Sequence, residues 1–137
     1  MNHSHTNHYV TMFFIMLLSG FLSTMNVWVD KWDDMRFSIN DVYMTLLMTG
    51  WMFLFMGWID KVTSIFLIGL SLIIFTIWGI RTQFLITQTQ YELGMIPHHS
   101  MAVHMSKKLV EKGNTTSFVH NLIHTQEDEI VQLKQSL

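Results

Sequence analysis

The run VTSIFLIGLSLIIFTIWGI, residues 62–80, contains no proline and no Asp, Glu, Lys or Arg. A helix needs about 20 such residues to cross a bilayer core roughly 30 Å thick, and a charged side chain at its centre would be costly. Two runs of the same character precede it, residues 9–29 and 42–59. Trp28, Trp32, Trp58 and Trp78 stand at or near the ends of these runs, where an interfacial aromatic belt places them. The connections are short: DKWDDMRFSIND over residues 30–41, and a tight turn at Asp60-Lys61. The pattern predicts three antiparallel membrane-spanning helices. Ser19 and Ser23, Thr49-Gly50, and Gly69 are expected points of close helix approach.

The charge distribution agrees with this. Only 13% of the 137 residues are charged, against about 25% in a soluble domain, and the deficit is concentrated before residue 81. The net charge is −2 and no basic stripe is present, which argues against a nucleic-acid partner. The chain has no cysteine, so disulfides, thiolate metal sites and thiol catalysis are excluded. The first run has no Lys or Arg before it and is too long for a signal-peptide core, so it reads as a retained helix. Arg81 is either an interfacial anchor reaching water with its long side chain or a buried cation paired with Asp60 or an acid of the first connection.

Beyond Arg81 the sequence is ordinarily polar. No strong breaker occurs from residue 64 to residue 93, so the third span is expected to continue out of the membrane. Gly94 and Pro97 mark a kink or restart, and Gly113-Asn114-Thr115-Thr116 marks a turn. Thr115 or Thr116 would cap a last helix over residues 117–136. Three parts result: a His-rich tail over residues 1–8, a three-helix region over 9–80, and a helical hairpin over 81–137. In the hairpin, Tyr91, Met95, His98, Ala102, Met105 and Leu109 recur at steps of four and three. Val119, Ile123, Gln126, Ile130, Leu133 and Leu137 do the same. Both stripes read as packing seams, and each has one polar intruder, His98 or Gln126.

The hairpin is rich in soft and borderline donors. Met101 lies three residues from both His98 and His104, and His120, His124 and Glu127 share one helical face. With Met105 these residues make a candidate metal site. Neutral imidazole suits Cu, Zn, Ni and Fe, while thioether favours Cu(I). Copper is the expected ion and zinc the alternative. Against this stands the plain reading: surface histidines, and a methionine stripe that is core. In the tail, His3, His5 and His8 form a second tract, and a free amine at Met1-Asn2-His3 would wrap Cu(II) or Ni(II). No Glu-x-x-His pair occurs on two helices, as a di-iron bundle requires, and no nucleophile–base constellation is visible, so an enzyme is not expected. A transport pore is disfavoured by spans without interior ionisable groups.

The string Met95-Ile96-Pro97-His98-His99-Ser100-Met101-Ala102, with Gln126-x-x-Glu129-Ile130 downstream, resembles the bacterial family called domain of unknown function 305. Val42-Tyr43-Met44 and Arg81-Thr82-Gln83 are similar to features of members with three membrane helices. The resemblance covers nearly the whole chain and implies an all-α fold: three transmembrane helices, then a ferritin-like helical hairpin. It also implies a link to copper through His and Met. His98 and His99 follow from the motif; the other candidates rest on spacing alone. Lys31, Arg36 and Arg81 against Lys61 favour a cytoplasmic C-terminus by the positive-inside rule. The resemblance implies the opposite, a bacterial-type inner membrane with the hairpin outside the cytoplasm, and that orientation is adopted. The expected function is a membrane-anchored metal-binding protein for copper storage, delivery or tolerance. The alternative is a structural or interaction module whose hairpin docks a partner without metal. A two-helix hairpin is too small to form a core alone, so the lipid bilayer and a second copy of the chain, bound through the hairpin, are the expected partners.

Overall fold

The structure, a computed structural model, describes residues 3–113 and 116–137. Met1, Asn2 and Thr115, together with the side chains of His3 and His5, lie outside the described residues, and so does the expected amine-terminal metal wrap. Helix α1 is His3–Leu22, α2 is Ile39–Ile59, α3 is Thr63–Thr82, α4 is Gln88–Glu111 and α5 is Ser117–Ser136. No strand occurs among the described residues. Three helical segments are long and apolar enough to cross a membrane: Asn7–Trp28, Ile39–Ile59 and Thr63–Thr82. The all-α fold with a C-terminal hairpin is as expected. The tail is not separate, because α1 already begins at His3.

The chain forms two compact units. The first comprises Met1–Ser23 and Asn40–Leu85. Its core is Tyr9, Phe53 and Ile65, packed with Phe13, Met52, Met56 and Leu72. Helices α2 and α3 approach through glycine: a Cβ on Gly69 would run into the backbone of Leu54 and Gly50, and one on Gly57 into that of Phe66. The expected contact at Gly50 and Gly69 is therefore present. Ser19 and Ser23 are exposed; Gly20 is the small residue of α1 that is buried, against Thr45. Thr49 and Thr76 satisfy their buried hydroxyls by donating to the carbonyls of Thr45 (2.9 Å) and Leu72 (2.7 Å) one turn back. Tyr9 donates to Asp60 Oδ2 at 2.9 Å, while Arg81 is exposed. The anchor reading of Arg81 fits that exposure.

The third span does not continue into the hairpin. Helix α3 stops at Thr82: Gln83 turns left-handed at φ 51° and Phe84 N donates to Gly79 O at 3.1 Å. Leu85 is left-handed as well, at φ 62°. Tyr43 fixes the stop by donating to Phe84 O at 2.6 Å. Helix α4 then starts under a Thr87 cap, whose hydroxyl accepts from Gln90 N at 3.3 Å. The break uses no glycine or proline, which is why the sequence reads as unbroken there. Conversely, α4 runs through Gly94 and Pro97 without a restart.

The second unit comprises Thr24–Ile39 and Ile86–Leu137. The connection between the first two spans thus belongs with the hairpin. Ile96, Val103 and Ile130 form its core, with Ile123 and Leu133 against them. The seam expected on α5 is the one used. The seam expected on α4 is not: its buried side carries Glu92, Ile96, His99, Ser100 and Val103, and Tyr91, His98, Met105 and Leu109 are exposed. One residue of offset turns a helix by about 100°, so the apolar period is right and the face is wrong.

Candidate functional site

The second unit is organised by polar groups from the connection. Asn26 holds the connection in shape: its amide donates to Arg36 O at 2.8 Å and accepts from Arg36 N at 2.9 Å. Two short 3-10 turns, Met25–Trp28 and Trp32–Asp34, then present Asp30, Asp33 and Asp34 to the hairpin. Ser100, fully buried, donates to Asp34 Oδ2 at 2.6 Å and accepts from Asp30 N at 2.9 Å. Lys134 of α5 lies 2.7 Å from Asp34 Oδ1 and also pairs with Asp33. Lys107 of α4 bridges Asp30 and Glu127, both at 2.8 Å. The Asp30 contact leads in holding the Lys107 ammonium above its ordinary pKa. Burial works against the charge of Lys134, and Asp33 and Asp34 outweigh it, so its pKa is also raised. These carboxylates and Lys134 rim a cleft of about 310 Å³. The rim is net acidic, but Asp30, Asp33, Asp34 and Glu127 are each paired with Lys107 or Lys134, so it reads as a clamp.

A second cleft, of about 380 Å³, opens between α4 and α5, where His99 and Glu129 face each other with Met95 and Tyr91 beside them. Glu129 Oε2 is 2.9 Å from His99 Nδ1 but lacks hydrogen-bond alignment, and it accepts from Gln126 at 3.0 Å instead. Burial pushes the His99 pKa down; Glu129 pulls it up, and His98 adds to the depression. Burial thus favours the neutral form of the His99 imidazole. The polar intruder in the packed seam is His99, not His98.

The other expected donors are spread out. His98 and Met105 are exposed and Met101 half-buried, all on the side of α4 that faces away from the core. His104 stands 3.9 Å from Asp30. His120 and His124 are exposed on α5, and Glu127 of that face is engaged by Lys107. Among the described residues no three His, Asp or Glu side chains are grouped so as to hold a metal ion. What one helix face does offer is imidazole and thioether together: Met95, His98, Met101 and Met105. Two such soft donors suffice for a low-coordinate Cu(I), whereas a closed tetrahedral zinc site needs four ligands. Ser100 and Asp34 were missed by sequence reasoning, since nothing local links positions 66 residues apart.

Three apolar helices followed by a polar helical hairpin, with the first connection locked onto the hairpin, define the architecture. Residues 87–137 match the family described as domain of unknown function (DUF305). The chain is also 38% identical over 128 residues to an uncharacterized protein of Acanthamoeba polyphaga mimivirus, covering 88% of this chain and 84% of that one. The chain belongs to the DUF305 family. No solved structure matches it.

Proposed function

We propose that this protein is a membrane-anchored binding module whose hairpin takes a soft metal ion, Cu(I) before Zn(II), for storage, delivery or tolerance and without catalytic turnover. The observation that carries this is the outer face of α4, where His98 and Met105 are exposed beside the half-buried Met95 and Met101. Accessible thioethers next to an imidazole select a soft cation over Mg or Ca. His99 lies behind this face, and burial favours its neutral form, which is able to donate a nitrogen lone pair. His104, His120 and His124 would extend the donor surface for a borderline ion. The three apolar helices are the anchor, in a bacterial-type inner membrane with the hairpin outside the cytoplasm; protease access to the hairpin in intact cells tests that side. The metal reading is tested by titrating the detergent-purified full chain with Cu(I) against a chromogenic chelator. Stoichiometric binding that is lost in His98→Ala/Met101→Ala supports it. Binding no tighter than in that variant ends it.

The second reading is a docking module without metal. It is favoured by the dispersed ligands and by the apolar character of the same face. The titration separates the two, because a pure docking surface leaves the chelator its copper.

A further inference from the structure

The outer face of α4 has a second property, and from it we infer that two copies of this chain pair antiparallel through α4. Tyr91, Met95, His98, Ala102, Met105 and Leu109 follow steps of four, three, four, three and four, the spacing of a coiled-coil seam. Tyr91 and Met95 edge the α4–α5 cleft, but among the described residues no helix packs along the whole stripe. Helix α5 takes the Ile96 and Val103 side, and the connection takes Ser100 and Lys107. Tyr91 and Met105 are each 52% exposed and Leu109 is 43% exposed. Helix α4 thus carries two apolar stripes about 100° apart, more than the single stripe a helix with one packed face needs. The outer side of α5, with His120, Asn121, His124, Asp128 and Gln132, is mostly polar; Phe118 and Val131 are exposed there singly and form no stripe.

The occupant is a second copy because the stripe is its own complement. Reflected about position 100, Tyr91 meets Leu109, Met95 meets Met105, and His98 meets Ala102, the single alanine of the chain. An antiparallel two-fold pair therefore sets each imidazole over a methyl and each thioether against a thioether. A two-fold interface requires this self-complementarity of one patch. In that arrangement Met101 and its copy flank the two-fold axis, and the two His98 side chains are offset by about 6 Å along the helix direction at 1.5 Å per residue. Two imidazoles and two thioethers, one of each from either chain, then stand together. The metal part of this inference rests on the proposed function; the pairing does not.

The cysteine-free chain makes the test direct. Single and paired cysteines are introduced into the full protein in membranes, and a short bismaleimide is added in the presence of a copper chelator. Met101→Cys is expected to cross-link to itself, Leu109→Cys alone not to, and a mixture of Tyr91→Cys and Leu109→Cys chains to cross-link to each other. Self-cross-linking at Leu109→Cys means a parallel pair and overturns the inference. So does cross-linking only to other proteins, or none at any site. Ala102→Asp, with helicity checked by circular dichroism, should abolish the Met101→Cys product. Adding Cu(I) then reads the metal separately: dimer without copper uptake retains the pairing and removes the metal reading. Uptake of one copper per two chains, lost in Ala102→Asp, joins them.

Discussion

Ser100 and Asp34 are both buried and are joined by a 2.6 Å hydrogen bond from Ser100 Oγ to Asp34 Oδ2. The same hydroxyl accepts from Asp30 N, so one small side chain in α4 satisfies a carboxylate oxygen and a backbone amide of the connection. Ser100→Ala strands both. A buried polar group left without a partner costs about 1–3 kcal/mol, and more when charged. The variant should therefore lose roughly 2–3 kcal/mol of stability in the second unit. Its signature is local: the Asp30 amide should exchange hydrogen much faster while amides of α2 and α3 are unchanged. Equal protection at Asp30 in the variant would show that the bond carries no weight.

Lys134 and Lys107 both pair with the connection, and they should differ in importance. The side chain of Asp34 is only 3% exposed, so removing Lys134 leaves a buried carboxylate without its cation. Breaking a buried pair costs roughly 3–5 kcal/mol, and the partial exposure of Lys134 itself puts Lys134→Met at about the lower end of that range. Lys107 and Glu127 are both over a third exposed, while Asp30 is 15% exposed; solvent screening of the exposed lysine keeps its pairs near about 1 kcal/mol. Thermal unfolding in detergent should rank Lys134→Met well below Lys107→Met. Adding Asp34→Asn to Lys134→Met should recover part of the loss. The reverse ranking would contradict the clamp.

The joint between α3 and α4 rests on two caps that can be tested apart. Thr87→Ala removes the acceptor for Gln90 N, a change worth about 1 kcal/mol at a helix start. Tyr43→Phe removes the donor to Phe84 O. Thr87→Ala should speed amide hydrogen exchange at Gln90, and Tyr43→Phe should speed it at Phe84, each without changing the amides at the other cap. The break itself is checked with spin labels at Trp78 and Gln88, as measured by pulsed electron resonance. A single narrow distance of about 15 Å in the native chain would instead be that of one continuous helix at 1.5 Å per residue.

These positions explain what was legible. The three spans were readable because composition over 20 residues decides membrane-crossing capacity, whatever the tertiary contacts. The turn at Asp60-Lys61 was readable because two charged residues interrupt the apolar runs there, even though Lys61 is left-handed at φ 56°. The break at residues 83–87 was not seen, because Gln83 and Leu85 take left-handed conformations that sequence rules reserve for glycine. A signal was present all the same: Thr87-x-x-Gln90 has the spacing of a capping box. The hairpin was legible as a region but not in its pairing. Helix α4 carries two apolar stripes one residue apart, and periodicity cannot choose between them. The choice is made by Ser100, Lys107 and the acids of the connection, which meet only in three dimensions.

His99 makes the hairpin sensitive to acid. Burial lowers its pKa below the ordinary 6.5, His98 contributes in the same direction, and Glu129 opposes them. In the unfolded chain the same imidazole titrates near 6.5. Between those two values the unfolded chain binds more protons than the folded one, so stability rises with pH across that window. The contribution is complete above about pH 6.5 and is lost as the pH falls through the depressed folded value. Glu129→Gln removes the opposing charge, lowers the folded pKa further and should steepen the acid loss; His99→Gln should flatten it. Unfolding midpoints of the hairpin measured between about pH 8 and pH 5, where histidine titrates, check all three chains. If the native and His99→Gln profiles coincide across that range, the buried imidazole does not control the acid response.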